Sequence, residues 1–88
     1  MVNVELYLDE RDFIIDLLEY ALLDELLNKL KKAKPDAENM LLISFDSYDL
    51  EQLIGNLSME CNHNKKRSIQ EAAYEIAERV ESYQSYAT

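Results

Sequence analysis

Glu60, Cys61 and His63 bring a carboxylate, a thiol and an imidazole within four residues of one another, the densest chemistry in this 88-residue chain. A zinc site would need three or four such ligands in tetrahedral reach. The chain has one Cys and one His, so the set cannot be completed by soft ligands. A Cys–His nucleophile would need the imidazole against the sulfur and donors for an oxyanion. No sequence feature marks either. Cys61 falls instead on an apolar helical stripe with Leu50, Leu53, Ile54 and Leu57. A thiol there reads as packed core. His63 reads as a favourable charge at the end of the same helix. We therefore read no catalytic residue, no metal ligand and no cofactor.

The acid pairs Asp9/Asp12 and Asp46/Asp49 have the spacing for acid–base work, but each opens a helical stretch. Caps and first-turn acids suit the helix dipole, and that accounts for them. A calcium loop or a phosphate loop needs a glycine turn. The single glycine, Gly55, lies within a helical pattern. Lys31-Lys32-Ala33-Lys34 and Lys65-Lys66-Arg67 carry no interleaved aromatic to stack on bases, and read as solvated helix ends. Six tyrosines are scattered over several faces. Tyr20 and Tyr74 lie off the main stripes, where a ring with a wet hydroxyl suits an interface.

Val2–Leu8 alternates apolar and polar residues as a half-buried strand does. With Asp9 as cap, a long helix is expected from about Glu10 to Ala33. It ends in a cluster of lysines before Pro35. Lys34–Asn39 reads as a loop, and Met40–Phe45 as a second strand buried on both sides. A second helix carries the Leu50–Cys61 stripe, and Gly55 within it carries a cost that only a close backbone contact would offset. Asn62–Arg67 reads as a turn. Ser68 and Glu71 have capping-box spacing and open a third helix. Its stripe is Ile69, Ala73, Ile76, Val80 and Tyr83. Residues 84–88 are expected to fray.

The expected fold is one helix-dominated α+β domain over residues 1–88. The order is β-α-β-α-α, with two short strands and a C-terminal antiparallel helical hairpin. An all-α bundle is the alternative. Leu8-Asp9-x-x-Asp12-Phe13 and Phe45-Asp46-x-x-Asp49-Leu50 form a weak repeat 37 residues apart. If the two strands ran in parallel, the lysine-rich helix ends would share one pole of the molecule.

The first helix carries two apolar sets, Phe13, Ile14, Leu17, Leu18 and Ala21, and Ile15, Leu22, Leu23, Leu26 and Leu30. At about 100° per residue they lie on opposite sides. A small domain covers one such face readily and two with difficulty. Ile15, Leu22, Leu23, Leu26 and Leu30 are therefore read as the interface of a homodimer.

The formal charge of −9 argues against nucleic-acid binding and against docking on anionic lipid. The apolar runs are too short to span a membrane, and no basic start precedes an apolar run as in a signal peptide. One cysteine suits a reducing cytosol. The expected function is a small acidic cytosolic interaction module, non-enzymatic and self-associating. The alternative is an acidic inhibitor of a basic or nucleic-acid-binding protein, acting as a nucleic-acid mimic. A Cys61–His63 enzyme is the weakest of the three readings.

Overall fold

In a computed structural model, the backbone is described for residues 1–87 and the side chains for residues 1–84. The described residues form four helices and one two-stranded antiparallel sheet, and the helical share is 69%. This is a helix-dominated α+β fold, and the sheet sets aside the all-α alternative. The elements run β1 (Val2–Tyr7), α1 (Leu8–Leu18), a 3₁₀ turn (Glu19–Ala21), α2 (Asp24–Lys32), β2 (Met40–Phe45), α3 (Ser47–His63) and α4 (Arg67–Ala87). Thr88, the end of the tail expected to fray, lies outside the described residues, and α4 continues to Ala87. Two compact units emerge: Asn3–Ser44, and Phe45–Thr88 with Met1 and Val2.

In the Asn3–Ser44 unit, β1 and β2 pair in antiparallel register. The Ser44 hydroxyl donates to Asn3 Oδ1 at 2.6 Å, and the Leu8 N–H donates to the Asn39 carbonyl at 3.0 Å. Because the strands are antiparallel, the shared lysine pole expected of parallel strands loses its premise. Val4, Leu6, Leu41, Ile43 and Phe45 are buried, while Asn3, Glu5, Tyr7, Leu42 and Ser44 are exposed. Thus β2 is buried on one face and not on two. Leu42, an apolar residue on the solvent side, disguised the alternation.

The single long helix expected from Glu10 to Ala33 is two helices. α1 starts at Leu8, two residues early, with Tyr7 as its N-cap in place of Asp9. Glu10 reaches back to accept from the Tyr7 N–H at 2.8 Å. After the 3₁₀ turn, Leu22 adopts the left-handed conformation (φ 56°, ψ 38°), and α2 starts afresh at Asp24. The break resolves the two opposed stripes. It turns Leu26, Leu27 and Leu30 inward, so they join Ile14 and Leu18 among the buried residues, and α1 packs on α2.

Magnitudes favour this solution. Burying one leucine is worth about 1.5–3 kcal/mol. A left-handed non-glycine residue costs about 1–2 kcal/mol, and each forgone helix hydrogen bond about 1 kcal/mol. Three buried leucines outweigh the break. Arg11 ties the two helices together: its Nη1 donates to the carbonyls of Leu30 (3.0 Å) and Ala33 (3.4 Å) at the end of α2.

The loop to β2 is organised by Asp36. Its Oδ1 accepts from the Glu38 and Met40 N–H groups at 2.8 and 3.1 Å. Asn39 sits at φ 60° in this loop, a conformation asparagine tolerates well.

The second unit is a helical hairpin. Asp46 caps α3 by accepting from the Asp49 N–H at 2.7 Å. The two repeat copies are therefore not equivalent: Asp46 is a cap, whereas Asp9 lies inside the first turn of α1. Leu50, Leu53 and Leu57 of α3 are buried, as are Ala73, Ile76, Ala77 and Val80 of α4. The two alanines allow close approach of the paired helices. Asn64 makes the turn: its N–H donates to the Glu60 carbonyl, its Nδ2 to Glu60 Oε2, and its Oδ1 accepts from the Lys66 N–H, each at 2.9 Å. α4 starts at Arg67, and Glu71 pairs with the Arg67 guanidinium at 3.2 Å. The expected Ser68–Glu71 capping box is replaced by the Lys66 carbonyl, which accepts from Ile69 and Gln70. Gly55 is exposed, and beyond its own helix backbone and chain neighbours nothing lies within 4 Å of where a Cβ would stand, so no close contact offsets its cost.

Candidate interaction surface

The residues with site chemistry are spread out by α3 and the turn that follows. Glu60 is half-buried and engaged by Asn64. His63 is exposed in the last turn of α3. Cys61 is half-buried and not packed core as its stripe implied. It borders an open cleft of about 560 Å³ along the hairpin with Arg67, Gln70, Glu71, Tyr74, Glu75 and Glu78. The stripe drifts at its end, so Ile54 and Cys61 fall on its margin while Leu50, Leu53 and Leu57 stay inside.

Across the cleft wall the Tyr74 hydroxyl donates to Glu78 Oε1 at 2.9 Å. That hydrogen bond, and the carboxylate charge behind it, hold the phenol above its ordinary pKa. Among the described residues, no group of three His, Cys, Asp or Glu is placed to hold a metal ion.

The five residues of the expected interface separate. Leu26 and Leu30 are buried (3% and 0% exposed), Ile15 and Leu23 are half-buried, and Leu22 stands out at 82%. The break in the helix makes this division, because it turns α2's leucines inward and leaves the junction outside. Tyr20, in the 3₁₀ turn, is 63% exposed. Tyr7 and Leu42 add a second exposed apolar pair, on the open face of the sheet.

Leu22 and Asn39 are the two non-glycine residues with positive φ among those described. Asparagine is suited to that conformation and leucine is not. The chain therefore keeps a leucine where both its backbone conformation and its exposure disfavour one. Sequence reasoning placed Leu22 on the interface but within a helix. The available signal was the change of phase between the two apolar sets, which a break at their junction explains.

No protein-family model, curated protein or solved structure matches the chain. No helix among the described residues is long and apolar enough to cross a membrane.

Proposed function

We propose that this chain is a non-enzymatic protein–protein interaction module that makes its contact through the junction of α1 and α2. The observation that carries this is Leu22, held in the left-handed conformation with its side chain 82% exposed. Strain retained at an exposed apolar residue points to use. The lone cysteine suits work in the cytosol, and the −9 charge suits a partner that is neither nucleic acid nor anionic membrane. Self-association through the first helical region has Ile15, Leu22 and Leu23 to draw on, since Leu26 and Leu30 are inside.

The test pairs the unmodified chain with Leu22→Ser. Sedimentation over a range of concentrations reads self-association, and capture from the native host reads other partners. The reading expects at least one association that the substitution abolishes while folding is retained. If nothing associates, or every association survives Leu22→Ser, the reading fails.

A second reading, the acidic mimic, draws on α4. Glu71, Glu75 and Glu78 recur at helical spacing, are exposed, and border one cleft. A partner held by them would weaken steeply with added salt and ignore Leu22→Ser.

A further inference from the structure

Every charge flanking Leu22 has the same sign. From Arg11 to Lys29 the intervening charged residues are Asp12, Asp16, Glu19, Asp24 and Glu25. All five are exposed. Glu19 precedes Leu22 by three residues and Asp24 follows it by two, so exposed carboxylates flank Leu22 along the chain on both sides. Tyr20 adds an exposed ring between Glu19 and Leu22.

We propose that Leu22 and Tyr20 dock into an apolar recess of another protein whose rim carries Lys or Arg. This deepens the reading of the junction as a contact and rests on it. An apolar knob inside a negative collar selects its partner twice. The recess must accept a leucine, and the rim must supply cations to the carboxylates, with Arg able to do so bidentately. The left-handed backbone fixes the direction in which Leu22 projects, so docking needs little further ordering of the chain. A second copy presenting the same face would set carboxylate against carboxylate, which disfavours a symmetric pair through this point. Duplex nucleic acid and anionic lipid are repelled by the same collar.

The experiment uses the full chain as bait for a displayed library of small helical-bundle proteins with one randomised face. Leu22→Asn serves as the paired bait, because asparagine keeps the left-handed backbone and removes the apolar group. The expected binders lose at least tenfold affinity on Leu22→Asn and carry Lys or Arg around an apolar centre. They also weaken at least tenfold on the double substitution Glu19→Lys and Asp24→Lys. Glu38→Lys with Glu51→Lys, both at exposed positions, makes the same change in net charge elsewhere and should weaken them less than threefold. Circular dichroism and urea unfolding check that each variant folds.

Binders that need Leu22 but have neutral or acidic rims, or that respond equally to both charge pairs, overturn the basic-rim proposal and leave the junction a contact. Binders indifferent to Leu22→Asn overturn the junction reading itself. A concentration-dependent dimer abolished by Leu22→Asn assigns the recess to a second copy and overturns the proposal.

Discussion

The guanidinium of Arg11 donates to the Leu30 carbonyl at 3.0 Å and so closes the end of one helix from the first turn of another. The two residues are 19 positions apart and belong to α1 and α2. Arg11 is 15% exposed at its side chain and also pairs with Asp12 at 2.8 Å. It satisfies carbonyls that the end of a helix leaves without partners.

Arg11→Met should therefore cost about 1.5–3 kcal/mol of stability, in the range of hydrogen bonds from charged donors. Arg11→Lys should recover only part of the loss, because one ammonium cannot reproduce the planar fork. Urea unfolding followed by circular dichroism checks both, and equal stability of all three proteins would contradict the account.

Leu26→Ala and Leu30→Ala should each destabilise by about 2–5 kcal/mol, as large-to-small changes in a core do. Leu22→Ala should stay within about 0.5 kcal/mol, as exposed substitutions do. Thermal unfolding of the three variants separates the leucines inside the fold from the one outside it.

Gly55→Ala should stabilise the protein by about 1 kcal/mol. The site is helical and exposed, a Cβ meets nothing within 4 Å, and alanine narrows the unfolded ensemble. A loss of stability in chemical denaturation would mean that the glycine serves a contact after all.

Tyr74 should titrate above the ordinary tyrosine value, chiefly through its hydrogen bond to Glu78, and Glu78→Gln should bring it down. The raised value means that the folded chain holds the phenolic proton more tightly than the unfolded one. Its contribution is therefore complete below the unfolded pKa and is lost as pH rises through the folded one. The ring resonances of Tyr74 followed by NMR across alkaline pH read the shift. Identical titrations of Tyr74 in both proteins would contradict the assignment.

Local signals explain what was legible beforehand. Alternation in Val2–Tyr7 located β1. Asp46 before an apolar stripe marked the start of α3, and the polar run around Asn64 located the turn of the hairpin. The break at Leu22 and Leu23 was hidden because neither residue is a glycine, proline or asparagine. Local propensity favours continuation there, and burial of Leu26, Leu27 and Leu30 overrides it. The Arg11 bond to Leu30 was beyond reach for another reason: its acceptor is a backbone carbonyl, which every residue has. At the surface, the exposed Leu22 and the buried Leu26 and Leu30 shared one apolar set in the sequence and were not separable until the break was known.

The Ser44–Asn3 bond has a mechanical meaning. Everything from Asn3 to Ser44 leaves and rejoins the chain at neighbouring points, because the strands that bound it are antiparallel partners. Tension applied between those points opens the ladder one rung at a time, as a zipper opens, and does not shear all its bonds together. The same closeness makes the segment a cassette. Its two ends would meet adjacent positions of a host chain without forcing them apart.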